Sequence, residues 1–225
     1  MEKIRLERDA EHQRYYLSDG TQVSGASSIA KMGDSTEGII YWAWNLGMQG
    51  KDYRKVRDSA ADSGGIAHFM ANCYLLNAEP DLREFTSEEI ALAQPSYDKF
   101  LDFWGKEHLT MLACEEQLVH EELKFGGTLD LRARDEDGKH VLIDWKSSKK
   151  VYNSHKWQLG GYELLCNHKH LEPIHRRAIV RIGRDAEDQF HIHWIPNIKA
   201  ERYMRIFEAQ VKLYNVINEV KFGKK

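Results

Sequence analysis

Residues 127–146 read Gly127-Thr128-Leu129-Asp130-Leu131-Arg132-Ala133-Arg134-Asp135-Glu136-Asp137-Gly138-Lys139-His140-Val141-Leu142-Ile143-Asp144-Trp145-Lys146. Leu129, Leu131 and Ala133 alternate with Thr128, Asp130 and Arg132, the period of a strand with one apolar and one polar face. Val141, Ile143 and Trp145 repeat the pattern, and Asp144 and Lys146 share the other face. Glu136-Asp137-Gly138 suits a three-residue hairpin loop, a type I turn closed by a left-handed glycine. That loop pairs Asp135 with Lys139, and counting back along both strands sets Asp130 opposite Asp144. Facing residues on one side of such a pair have Cβ atoms about 4.5–5.5 Å apart. Two carboxylates this close repel each other, and one holds its proton more tightly. On that ground alone, Asp144→Asn should raise stability slightly. A divalent cation between the two removes the conflict, and hard oxygen donors suit Mg²⁺ or Mn²⁺. Lys146 lies one pleat away, and an ammonium beside a metal suits water activation at a phosphorane-like transition state. A solvated surface hairpin could carry the same charges. Against that, Asp144 interrupts a stretch, Leu142-Ile143 and then Trp145, that reads as buried.

Working outward, a helix spans about 154–168, with Ser154 as its cap. Gln158 and Tyr162 are four apart on one face. Either that face offers both to a substrate phosphate, or Tyr162 packs in the core and Gln158 is solvated. Strands follow near 175–182 and 189–195, and a long helix from about 197 to 220. On the other side, residues 110–119, 125–134 and 140–146 read as three strands. Arg14 to Val23 forms a short hairpin across Ser18-Asp19-Gly20. From about Ala26 to His108 the pattern is helical in pieces. Ile39, Ile40, Trp42, Ala43, Trp44 and Leu46 make one apolar helix. Ile66, Phe69, Met70, Cys73 and Tyr74 mark another, Gly64 to Leu76. Thr86 and Glu89 form a capping box. It opens a helix carrying Leu92, Tyr97, Phe100, Leu101 and Trp104, which Pro95 should kink or break. Trp42, Trp44 and Trp104 read as core. The fold class is therefore α/β: a mixed sheet flanked by helices over 109–225, with a mainly helical part over 1–108, in one domain.

The chain has 225 residues, 42% hydrophobic and 30% charged. That is globular in composition and long enough for a substantial core. Thirty-two Lys+Arg against 35 Asp+Glu leave a net charge of -3. A nucleic-acid partner therefore needs a local basic patch. Lys146-Ser147-Ser148-Lys149-Lys150 is one; Lys51, Arg54, Lys55 and Arg57 form another. Cys73, Cys114 and Cys166 lack a CxxC, which excludes a disulfide scaffold and speaks against a cysteine-rich zinc or iron–sulfur module. His191 and His193 share a strand face and could bind zinc, but without a third ligand that face reads as solvated. No apolar run approaches the ~20 residues of a membrane span. The N-terminal stretch lacks the apolar core of a signal peptide. A reducing cytoplasm without membrane contact is the expected setting.

Three segments in register resemble the PD-(D/E)xK nuclease superfamily. They are Gly127-Thr128-Leu129-Asp130, then Ile143-Asp144-Trp145-Lys146-Ser147-Ser148, then Gln158-Leu159-Gly160-Gly161-Tyr162. Within it they are similar to the RecB-type exonuclease branch, to which mitochondrial genome-maintenance and phage exonucleases belong. The resemblance covers about residues 112–195, and the N-terminal helices match more loosely. It implies that Asp130, Asp144 and the Trp145 carbonyl hold Mg²⁺ or Mn²⁺. The branch's upstream Gly-x-x-x-His falls on Gly64 to His68 and makes His68 an expected ligand, although a lone histidine in an amphipathic helix by itself reads as structural. An acidic ligand on the preceding strand falls on Glu116, with Glu115 as the alternative. Lys146 is expected to orient or deprotonate the attacking water. Gln158 and Tyr162 are expected to position the substrate strand, with Ser147, Ser148, Lys149 and Lys150 along its backbone. The implied activity is metal-dependent hydrolysis of DNA, by an exonuclease on single-stranded or end-accessible substrate in recombination, repair or replication. The alternatives are an endonuclease of the same superfamily and a catalytically silent nucleic-acid-binding module. Some relatives hold a four-cysteine iron–sulfur cluster; the spacing here leads to an expectation of none.

Overall fold

The computed structural model describes residues 2–8, 14–183 and 190–222. In chain order its elements are β1 (Lys3–Arg5), β2 (Tyr15–Tyr16), β3 (Gln22–Gly25), α1 (Ala26–Ala30), a 3₁₀ turn (Lys31–Gly33), α2 (Glu37–Met48), α3 (Tyr53–Leu75), β4 (Glu79–Asp81) and α4 (Ser87–Glu107). Then come β5 (Thr110–His120), β6 (Phe125–Arg134), β7 (His140–Lys146), α5 (Asn153–His168), β8 (Arg176–Arg181), β9 (His191–Trp194) and α6 (Asn197–Phe222). Gln189, where a strand was expected to begin, lies outside the described residues.

The central hairpin takes the register its turn dictates. Asp135 N donates to Lys139 O at 3.0 Å, and Gly138 is left-handed at φ 76°. Arg134 then faces His140 and Leu131 faces Ile143. On its other side β6 pairs antiparallel with β5 from end to end. The edge it shows β7 is divided. β3 pairs parallel with it at Phe125 and Gly126, and β7 pairs with it only from Leu131 to Arg134. β7 continues parallel to β8, joined through α5, and β8 pairs antiparallel with β9. Among the described residues this is a seven-stranded mixed sheet, with β1 and β4 as a separate parallel pair.

Helices cover both faces of the sheet. Leu129, Leu142 and Ile179 pack with Leu159 and Leu165 of α5 and Phe207 and Val211 of α6. Leu131, Val141, Ile143, Trp145 and Val180 pack with Ala71 of α3 and Phe100 and Phe103 of α4. Burial on both faces explains the unbroken apolar run of β7. It also corrects the expected alternation of β6, since Leu129 sits in one cluster and Leu131 and Ala133 in the other. The paired strand β5 is irregular alongside it. That strand bulges between Met111 and Ala113, and Glu115 is left-handed at φ 49° between Cys114, which faces Leu131, and Glu116, which faces Leu129. Such irregularities twist a strand and re-aim its side chains.

Local signals fared unevenly. The capping box forms, with Glu89 N donating to Thr86 Oγ1 and Thr86 N to Glu89 Oε2. Pro95 does not break α4, whose flanking Ala93, Ser96, Lys99 and Phe100 are buried. Ser154 is not the cap of α5; Tyr152 is, and Ser154 N donates to Asp34 Oδ1 at 3.3 Å. The apolar helix α2 forms but buries none of its residues, and Trp44, read as core, is 57% exposed. No helix among the described residues is long and apolar enough to cross a membrane.

Candidate active site

Where β6 and β7 part, the side chain of Asp130 takes over from the ladder. Trp145 N donates to Asp130 Oδ2 at 2.8 Å. The strands fork there, and α3 lies across the fork. His68 Nδ1 of α3 is 4.0 Å from Asp130 Oδ2. α3 approaches closely at Gly64, where a Cβ would stand 2.6 Å from Ser147 Oγ and oblige that hydroxyl to turn away. The result is a cleft of about 540 Å³ lined by His68, Glu115, Asp130, Lys146, Ser147 and Ser148, among others. One ligand atom each from His68, Glu115 and Asp130 lie within 4.8 Å of one another.

Asp144 stands beside this cluster and is fully buried. Lys146 Nζ donates to its Oδ1 at 2.8 Å and lies 2.6 Å from its Oδ2. Burial pushes the Asp144 carboxyl up to about 6 against the pull of Lys146, and Asp130 adds to the rise. Burial likewise raises Asp130, opposed by Lys146 and the Trp145 amide. Desolvation, then Asp130 and Asp144, push Glu115 up to about 8. Desolvation alone would depress the Lys146 ammonium, but Asp144 and Asp130 hold it above its ordinary value. Burial, then Lys146, bring His68 down to about 4, so its ring is neutral near pH 7.

These residues fit a hard divalent cation. The donors are carboxylate oxygens and one neutral imidazole, and the carboxyls are crowded into holding protons. A sequence profile of the PD-(D/E)XK nuclease superfamily matches residues 53–212, a span that contains every one of these side chains. The chain belongs to the PD-(D/E)XK nuclease superfamily. PD-(D/E)XK nucleases generally use divalent metal ions. No curated protein matches the chain. Among solved structures, it is similar to one described as "Crystal structure of SSO0001", at 17% identity and a TM-score of 0.31. The match covers 54% of this chain, and this chain spans about three-fifths (60%) of that one.

Of the nuclease residues expected from the sequence, the fold gathers His68, Asp130, Asp144 and Lys146 in one place, with Trp145, Ser147 and Ser148 on the cleft wall. It does not bring Glu116 there. Arg132 grips that carboxylate from Nε at 2.5 Å and from Nη2 at 2.9 Å, and Glu115 occupies the cluster instead. Gln158 and Tyr162 are buried behind the carboxylates, not on the cleft wall. Gln158 Nε2 donates to Tyr162 Oη at 2.5 Å, and the Tyr162 ring packs where Gly127 leaves room. Lys149 and Lys150 are exposed beyond the cleft. Tyr15 was not anticipated. Its hydroxyl is 2.9 Å from Thr128 Oγ1, and its ring lies over Gly126, where β3 pairs with β6. More than a hundred residues separate it from that strand, so no local pattern marks it.

Proposed function

We propose that this nuclease hydrolyses DNA phosphodiester bonds with Mg²⁺ or Mn²⁺, as an exonuclease of the RecB type acting on single-stranded or end-accessible DNA, and that residues 1–225 form one domain for that task. The convergence of His68, Glu115 and Asp130 beside the Asp144–Lys146 pair carries the reading. His68, Glu115, Asp130 and Asp144 would hold the ion, with the Trp145 carbonyl. The ion would supply Lewis-acid polarisation of the scissile phosphate and of water. Hydrolysis joins the water oxygen to phosphorus and releases the sugar oxygen with a proton. Without the ion, Asp144 and Asp130 hold Lys146 as an ammonium, a form that suits orienting water by donation and offsetting phosphate charge. Gln158 and Tyr162, expected to position the substrate strand, are buried and would act through the neighbouring carboxylates and not on the strand itself. Ser147, Ser148, Lys149 and Lys150 run from the cleft outward along the path of a phosphate backbone.

Single-stranded substrate is favoured by exposed aromatic and basic residues on α2 and around the N-terminal end of α3. Tyr41 and Trp44 of α2 are exposed with ring centroids 6.0 Å apart, and Lys51, Arg54, Lys55 and Arg57 are exposed at the start of α3, the helix that carries His68. Aromatic faces with flanking cations suit unpaired bases and their backbone. The test is digestion of linear and circular single-stranded DNA, labelled at either end, with Mg²⁺ and with EDTA. Loss of the linear form alone supports the exonuclease. Loss of both makes it an endonuclease, and binding without cleavage makes it a silent module.

A further inference from the structure

α6 has two apolar faces, and the protein covers one. Phe207 and Val211 are buried against α5, where Gly160 lets the helices touch: a Cβ there would lie 2.6 Å from the Tyr203 carbonyl carbon. That close seat fixes which residues point away. Ile206, Ala209, Leu213, Val216 and Val220 are all exposed, Val220 at 81%. Their spacing alternates three and four, so they form one seam at the 3.5-residue period of a coiled coil. A helix meeting only water on that side would carry polar residues there.

We infer that α6 pairs with α6 of a second copy of this chain, antiparallel, with Leu213 against Val216 of the partner subunit and Val220 against Ala209 of the partner subunit. The charges beside the seam select this arrangement. Arg205, Lys212 and Glu219 are exposed and each directly precedes a seam residue. Within the described helix a parallel pair would set Arg205 and Lys212 against Gln210 and Ile217, which carry no charge. The antiparallel pair sets Lys212 against Glu219 of the partner subunit, and the two-fold axis repeats the match. Sliding the pair by one heptad would oppose Lys212 with its own copy and Arg202 with Val220. The seam is thus complementary to itself in one register, which a surface shaped for an unrelated partner has no reason to be. Lys212 meets Glu208 of its own helix at 2.7 Å but is 65% exposed, free to reach across.

The experiment is sedimentation equilibrium of the full chain over roughly 1–100 µM, with circular dichroism as the fold check. Wild type should approach twice the 26.2 kDa chain mass, and Leu213→Asp should sediment as a monomer with its helix content intact. Lys212→Glu and Glu219→Lys should each weaken the dimer, and the two together should restore it. A wild type that stays monomeric overturns the proposal and leaves the seam to another protein. A dimer indifferent to Leu213→Asp overturns it by placing the interface elsewhere. Failure of the double charge swap to restore a dimer that Leu213→Asp breaks overturns the antiparallel register.

Discussion

The Trp145 amide donates to the Asp130 carboxylate, so a side chain stands where the β6–β7 ladder would continue. The same carboxylate faces His68 across the cleft. One residue therefore both opens the fork and lines the candidate site, and its two duties are separable by substitution. Asp130→Asn keeps an acceptor for the amide and loses the charge. It should fold normally, lose cleavage and lose the rise in Tm that Mn²⁺ produces. Asp130→Ala should in addition lower stability by about 1–3 kcal/mol, because a buried amide is left unpaired. Denaturant melts of both variants, with and without Mn²⁺, check this.

Like-charge repulsion alone gave Asp144→Asn a small gain in stability. The structure sets a second effect against that gain. Asp144 is the close partner of Lys146, whose side chain is only 18% exposed. Removing one member of a buried pair leaves the other charge poorly compensated. The burial that lifts the Asp144 carboxyl to about 6 already disfavours its charge, so the two effects oppose and Asp144→Asn should stay within about 1 kcal/mol of wild type in urea at pH 7. A larger loss would show that Lys146 depends on the Asp144 charge, and a larger gain that the buried carboxylate costs more than the pair returns.

The pH dependence follows from the raised carboxyls. Glu115 titrates near 8 when folded against an ordinary 4.5, and Asp144 near 6 against 3.8. For an acid raised on folding, the unfolded chain releases its proton first, so stability falls as pH rises toward the folded value. His68, His120 and His155 are lowered to about 4, 4 and 3, chiefly by burial, and destabilise only below their ordinary 6.5. Between about pH 6.5 and 8 the carboxyls therefore act without them. The metal-free Tm should fall modestly across that window, modestly because Glu115 is an exposed residue. Mn²⁺ should close the gap, and its affinity by calorimetry should rise with pH over the same range as fewer protons are displaced. A Mn²⁺ affinity flat in pH would place the ion away from these carboxyls.

Lys146 and Gln158 should separate in kinetics. Lys146→Ala should collapse kcat. Gln158→Ala removes one buried hydrogen bond to Tyr162, worth roughly 0.5–1.5 kcal/mol. If that support reaches the carboxylates, single-turnover cleavage slows about 2- to 13-fold. DNA affinity should hardly change, because Gln158 is not on the cleft wall. A Gln158→Ala variant that loses affinity instead would put the side chain in contact with substrate.

Trp44→Ala should weaken binding of single-stranded oligonucleotides by about 5- to 100-fold, the range of one aromatic stacking contact. Cleavage of a dinucleotide too short to reach α2 should be unchanged. Fluorescence anisotropy in EDTA gives the first quantity, and product release from the short substrate gives the second.

Local stereochemistry was legible in the sequence. Glu136-Asp137-Gly138 determined the hairpin register, Thr86 and Glu89 the start of α4, and the Val-Leu-Ile run the buried strand β7. Each depends on a few neighbouring residues, so the chain specifies it before any packing occurs. The same register brought Asp130 and Asp144 to adjacent strands. Tertiary structure decided the rest. Glu115 rather than Glu116 enters the cluster because a bulge near Met111 and a left-handed residue re-aim β5, neither of which appears in hydrophobic period. His68 reaches Asp130 because α3 lies against Ser147 at Gly64. Gln158 and Tyr162 are buried because α5 packs against the sheet where Gly127 leaves room, and α2 is exposed although its composition is that of a core helix. Periodicity states which residues share a face; only the assembled neighbours state what, if anything, covers it.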